Sequence, residues 1–159
     1  MNLSTSENQA WLDGIPYPVQ PGDTLLKFAD RHLGRGHVPT LCDAPQLEPY
    51  GACRVCSVEV ALKADGPTRV VAACHTPLAP GMHIFSESKK VQRLRRNILE
   101  LVLSDHPPDC LTCEVNGNCE LQTVAGKVGV RKIRYQGGQN HLSQPKDRSH
   151  AYKIGRAHV

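Results

Sequence analysis

Apolar positions recur at two different periods along this chain, and the change of period divides it. Near the start, "QAWLDGIPYPV" sets two short β-type runs on either side of Asp13-Gly14, a dipeptide suited to a two-residue hairpin turn. Pro21-Gly22 breaks the second run, and Asp23 or Thr24 is placed to cap a helix carrying Leu25, Leu26, Ala29 and Leu33. Gly34 and Gly36 stop that helix. The stretch "HVPTLCDAPQLEPYGAC" has three prolines and no period, so it reads as an ordered loop. "RVCSVEVALK" alternates as a strand, "ADGPT" turns, "RVVAAC" returns as its partner, and "GMHIFSES" supplies one more strand. Residues 8–86 thus predict a small mixed sheet with one helix packed on it, a β-grasp arrangement.

The period then changes to that of a helix. In "SKKVQRLRRNILELVLSD", Val91, Leu94, Ile98, Leu101 and Val102 share one helical face, with Lys and Arg mostly opposite. Pro107 and Pro108 end this helix, and "CELQTVAGKVGV" predicts a second, shorter one. The fold class is therefore α+β: a β-grasp part over 8–86, a small helical part over 87–135, and a polar, Gly-rich linker or tail over 136–159. The last six residues, "IGRAHV", are expected to be non-native, because their codons can spell a sequencing-library adapter. The natural chain would then continue from near Tyr152 or Lys153, and a genomic reading frame that stops at Val159 would refute this.

Composition sharpens the picture at one point. Seven cysteines, an odd number, with no signal peptide at the polar N-terminus argue against a disulfide framework and for metal or redox use of thiols in the cytoplasm. The longest apolar runs are short, so no transmembrane helix and no direct membrane insertion are expected. The net charge is +4, with basic residues gathered in "KKVQRLRR" and "KVGVRKIR". No stacking aromatics are interleaved with them, so a solvated or docking face is favoured over nucleic-acid binding.

With His106, the thiols make two sets of four soft ligands. In the first, Cys42, Cys53, Cys56 and Cys74 are separated by ten, two and seventeen residues. Thiolates converging from a loop and one further point suit a 2Fe–2S cluster, and Gly51-Ala52 lets the chain wrap closely before Cys53. Zinc usually takes its ligands as two close pairs, whereas Cys42 and Cys74 stand alone; a thiol-redox Cys53-x-x-Cys56 leaves both without a role. The residues favour 2Fe–2S over zinc, and zinc over thiol exchange. In the second set, His106, Cys110, Cys113 and Cys119 are separated by three, two and five residues. Read alone, this admits a 4Fe–4S site, a Cys₃His zinc site, or a histidine that merely caps a helix C-terminus.

Together, "PTLCDAPQLEPYGACRVCSVEV…AAC" and "HPPDCLTCEVNGNCELQ" resemble a region at the N-terminus of three related subunits. These are the large iron–sulfur subunit of respiratory complex I, the diaphorase subunits of NAD-reducing hydrogenases, and the alpha subunits of cytoplasmic formate dehydrogenases. The resemblance covers residues 9–135 and implies a 2Fe–2S cluster on Cys42, Cys53, Cys56 and Cys74, and a 4Fe–4S cluster on His106, Cys110, Cys113 and Cys119. "LEPYGACRVCSVEV" and "PKDRSHAY" are most similar to the formate dehydrogenase branch. That branch implies further 4Fe–4S clusters and a molybdopterin domain downstream, with a flavin- and NAD-binding diaphorase-type subunit as partner.

The chain itself carries no nucleophile–base pair, phosphate-binding glycine loop or paired carboxylates, so it reads as an electron wire within an oxidoreductase. A neutral histidine in place of one thiolate should ease reduction of the 4Fe–4S site, and Arg54 and the basic stretch 89–96 are placed to offset cluster charge.

Overall fold

A computed structural model of the chain describes residues 8–44 and 46–137. Five strands and three α-helices follow in the order β1 (Gln9–Leu12), β2 (Ile15–Pro18), α1 (Leu25–Leu33), β3 (Ser57–Ala61), β4 (Arg69–Ala72), β5 (His83–Phe85), α2 (Lys89–Ser104) and α3 (Glu120–Val128). The strands form one sheet in the order β2-β1-β5-β3-β4, antiparallel except for the β1–β5 pair. Asp13 (φ 50°) and Gly14 (φ 88°) make the expected hairpin turn, whose left-handed backbone matches the twist of the strands it joins. Asp13 tolerates that conformation with its carboxylate anchored: Ser86 donates its backbone N–H at 2.7 Å and its hydroxyl at 2.5 Å.

Helix α1 lies on one face of the sheet, where Leu25, Leu26, Phe28 and Ala29 meet Ala10, Leu12, Val58, Val60 and Ile84 in a single core. Of the two expected caps, Thr24 performs the role, its hydroxyl accepting from the Lys27 N–H at 3.3 Å. Asp23 is buried beside it and takes both arms of the Arg31 guanidinium at 2.6 Å. That fork-to-fork pairing holds the Asp23 carboxyl below the usual carboxylate range, against the opposing effect of burial.

Two expectations are corrected. Strand β3 was expected to alternate in exposure, but all five of its residues are buried. Val58 and Val60 face the α1 core, while α2 packs on the same strand, so its polar residues are enclosed as well. Glu59 is satisfied there by Ser88 (2.6 Å), Thr68 (2.9 Å) and Lys90 (2.9 Å), which together hold its carboxyl below the ordinary range.

The buried stripe of α2 is also rotated from the expected face. It runs through Val91, Arg95, Leu99 and Glu100, leaving Leu101 53% and Val102 39% exposed. A periodicity count scores Arg and Glu as solvent-facing; here each has an internal partner. Arg95 reaches a backbone carbonyl of β3, and Glu100 receives Arg134 at 2.6 Å. The tail expected over 136–159 lies, beyond residue 137, outside the described residues, as does "IGRAHV". No helix among the described residues is long and apolar enough to cross a membrane.

Candidate iron–sulfur sites

The loop between α1 and β3 brings Cys42, Cys53 and Cys56 to the end of β4, where Cys74 follows. Gly51 (φ 72°) and Arg54 (φ 60°) turn the chain back on itself through left-handed backbone. A Cβ on Gly51 would lie 3.3 Å from the Ala72 Cβ and 3.7 Å from the His75 Cβ, so the loop lies directly against the end of β4. The Ser57 N–H (3.2 Å) and hydroxyl (2.6 Å) both donate to the Arg54 carbonyl and close the turn that spaces Cys53 from Cys56.

The four thiols stand as two pairs. Cys56 and Cys74 are both buried, with their sulfurs 3.4 Å apart. Cys42 Sγ accepts the Cys53 N–H at 3.5 Å, and the two thiols interact with one another. Burial pushes the Cys42 thiol up despite the N–H groups of Cys53 and Ala52. Burial also works on Cys53, but hydrogen bonds from the backbone at Val55, Leu41 and Cys42 and from the Cys42 thiol outweigh it and bring Cys53 below the ordinary thiol value. Cys74 is pushed up to about 12, by burial first, then by the Cys56 thiol and the charge of Cys42, with Gly51 opposing.

Backbone N–H groups directed at sulfurs form an anion-receiving nest, the surroundings an iron–sulfur core requires. Two thiol pairs also match a two-iron core, in which each iron takes two protein ligands.

The second set sits between α2 and α3. The last turn of α2 carries Asp105 as its cap, and the His106 N–H donates to the Leu103 carbonyl at 3.2 Å. Cys110 opens a single 3₁₀ turn (Cys110–Thr112), closed by the Cys113 N–H on the Cys110 carbonyl at 3.3 Å. Cys119 is the N-cap residue of α3. Sequence reasoning passed over Gln122, which accepts the Gly117 N–H at 3.2 Å and donates to Asn116 at 2.9 Å, shaping the approach to Cys119. Its one signal was the run "NGNCELQ", in which a polar residue in the first turn of a helix follows an Asn-Gly turn.

His106 and Cys110 are exposed, and Cys113 and Cys119 are half-buried. Among the described residues, no three His, Cys, Asp or Glu side chains gather as they would around a single metal ion. The structure thus draws the first set into pairs and places the second along one short loop without closing it.

The first loop and the helices flanking the second share a support. Val55, Leu99 and Val124 are buried together, with Leu41, Cys53, Ile98, Leu121, Val128 and Val130 packed around them. The cysteine loop, α2 and α3 are therefore held by one small apolar core.

A helix-covered mixed sheet of this topology, with four thiols on the loop and strand end beside it, defines the ferredoxin-like 2Fe–2S class. The chain belongs to the family of the 2Fe–2S iron–sulfur cluster binding domain, whose model matches residues 9–89, and the NADH-ubiquinone oxidoreductase-G iron–sulfur binding region matches residues 95–134. It is an iron–sulfur electron-transfer module with a 2Fe–2S and a 4Fe–4S region.

Among curated relatives, it is 41% identical to the NADPH-Fe(3+) oxidoreductase subunit alpha of Geobacter sulfurreducens over 124 residues, 78% of this chain and 14% of that protein. It is also 41% identical to the NADP-reducing hydrogenase subunit HndD of Solidesulfovibrio fructosivorans over 133 residues, 80% of this chain and 22% of the relative. With an NADH-quinone oxidoreductase component of Streptomyces coelicolor it shares 32% over 136 residues, covering 84% and 15% respectively. The chain thus spans less than a quarter of each of these relatives. A solved chain of an NAD+-reducing NiFe-hydrogenase in its H2-reduced state superposes with a TM-score of 0.69 at 32% identity, covering 89% of this chain and 55% of that one.

Proposed function

We propose that Cys42 and Cys53 hold one iron of a 2Fe–2S cluster and Cys56 and Cys74 the other, and that His106, Cys110, Cys113 and Cys119 hold a 4Fe–4S cluster. When bound, such clusters supply one-electron storage and transfer. The chain's own residues set the sulfurs in pairs, aim N–H groups at them, and exclude water from Cys56 and Cys74. The observation that carries the reading is the shared core of Val55, Leu99 and Val124, which holds the first ligand loop and the two helices flanking the second on one support. A relay needs that fixed separation; two independent zinc knuckles do not. The proposed divisions are residues 8–86 for the first site, 87–135 for the second, and a tail over 136–159.

The parent enzyme we propose is a cytoplasmic, NAD-linked formate dehydrogenase, of which this chain is the start of the alpha subunit. Further 4Fe–4S clusters and a molybdopterin domain would follow it, and a flavin- and NAD-binding diaphorase-type subunit would be its redox partner. The support is the local similarity in "LEPYGACRVCSVEV" and "PKDRSHAY". A second reading, the corresponding subunit of an NADH-quinone oxidoreductase or NAD-reducing hydrogenase, is favoured by the names of the relatives above.

Iron analysis and EPR of anaerobically purified, dithionite-reduced protein test the relay itself. The expected result is about two plus four irons per chain and two spin signals, of which His106→Ala alters only the 4Fe–4S one. Zinc without iron refutes it. For the parent enzyme, molybdenum in the full-length protein together with formate-dependent reduction of a viologen dye supports the first reading. Dye reduction by NADH or hydrogen without molybdenum moves the chain to the second.

A further inference from the structure

Arg95 is the one cation of the basic helix stretch that is enclosed, with 3% of its surface exposed. A guanidinium taken out of water requires full hydrogen bonding and a counter-charge. Its Nε and Nη2 donate to the Ser57 carbonyl at 3.0 and 2.8 Å. Its carboxylate partner is Glu87, 3.6 Å from Nη1 and itself 46% exposed. One carbonyl and one hydrated carboxylate at that distance compensate a buried cation only in part. Burial draws the guanidinium below its ordinary value, and the negative groups opposing this are Glu87, the Cys56 sulfur and Asp13.

Position makes this charge consequential. Ser57 follows Cys56 directly, and its own N–H and hydroxyl hold the Arg54 carbonyl. Through one peptide unit Arg95 therefore grips the back of the Cys53-x-x-Cys56 turn. Cys56 and Cys74 are buried, so charge added at that pair is poorly screened by water.

We infer that Arg95 is a positioning residue of the 2Fe–2S site: it clamps the Cys56 turn through the Ser57 carbonyl, and its positive charge stabilises the reduced cluster. The inference rests on the proposed ligand set. Reduction takes one electron from a one-electron donor and adds one negative charge, with no bond made or broken. A fixed cation beside Cys56 raises the midpoint potential of that step. The clamp comes from α2, the helix that leads to His106, so the segment leading to the second site sets the potential of the first.

The test is an EPR-monitored redox titration of the full-length, anaerobically purified protein and three variants. Arg95→Gln should move the 2Fe–2S midpoint to a more negative potential and broaden its signal, with a smaller shift at the 4Fe–4S site. Arg95→Lys should restore most of the shift, because the charge remains. Glu87→Gln, at a half-exposed position that should not impair folding, should move the midpoint the opposite way, to a more positive potential. An unchanged 2Fe–2S midpoint in Arg95→Gln overturns the inference, as does a shift of the same sign in Arg95→Gln and Glu87→Gln. Should Arg95→Gln fail to fold, an unchanged midpoint in Glu87→Gln overturns it alone. Absence of any 2Fe–2S signal in the wild-type protein refutes the ligand assignment beneath it, an outcome distinct from the other three.

Discussion

Replacing Gly51 with Ala tests whether the cysteine loop is held as tightly as the geometry requires. Gly51 has φ 72°, and left-handed backbone costs an L-residue roughly 1–2 kcal/mol. The added methyl would also stand 3.3 Å from the Ala72 Cβ, so the loop or the end of β4 must give by a few tenths of an ångström. Crowding a packed site by one methyl costs about 1 kcal/mol or more, giving a total of about 2–3 kcal/mol. Gly22→Ala supplies the control, since Gly22 has φ 80° but nothing within 4 Å of the added carbon. The control carries only the backbone cost.

The two variants should therefore separate by about 1 kcal/mol in denaturant midpoint analysis. They should separate more sharply in 2Fe–2S content, because the Gly51 backbone acts on the Cys74 sulfur and its displacement disturbs the ligand set. Iron per chain and the 2Fe–2S EPR amplitude are the readouts. If Gly51→Ala loads as fully as wild type and is no less stable than Gly22→Ala, the close approach of loop and strand is wrong.

Two further perturbations address the supports around the sites. Leu99→Ala empties a fully buried position between Val55 and Val124 and should cost about 2–4 kcal/mol, toward the lower end because the small core can partly collapse. Since that core carries the first loop and both helices flanking the second, the EPR signals of both clusters should broaden; a change confined to one would refute the shared support. Asp23→Asn breaks the bidentate pair with Arg31 and should cost about 1–2 kcal/mol near neutral pH. Because the folded carboxyl lies below its unfolded value, its stabilisation is present above the ordinary carboxylate range and is lost as pH falls through the folded value. The variant should accordingly show a flatter acid limb in a stability–pH profile, and an unchanged limb would count against the pair.

Much of this protein was written along the chain, because its strongest signals are local. Asp13-Gly14, Thr24, Gly34 and the Pro107-Pro108 pair act on the backbone within a few residues, so the hairpin, both ends of α1 and the end of α2 were readable without a partner. The cluster class was legible in the same way: the spacing of Cys42, Cys53, Cys56 and Cys74 favoured 2Fe–2S. The 4Fe–4S reading of the second set came from the resemblance, and the matching family models bear out both cluster-binding regions.

What tertiary structure alone decided are the features set by burial from both sides. A strand that alternates can still be enclosed on both faces, as Ser57 and Glu59 are once α2 lies over them. A helix face cannot be scored when Arg95 and Glu100 belong to it, because their cost is offset, for Arg95 only in part, by a carbonyl on β3 and by Arg134, 34 residues further along. The pairing of Cys56 with Cys74, and the core that joins the first loop to α2 and α3, involve residues brought together only in the folded chain. Periodicity reports which side of an element avoids water; it carries no information about which polar groups will find each other there.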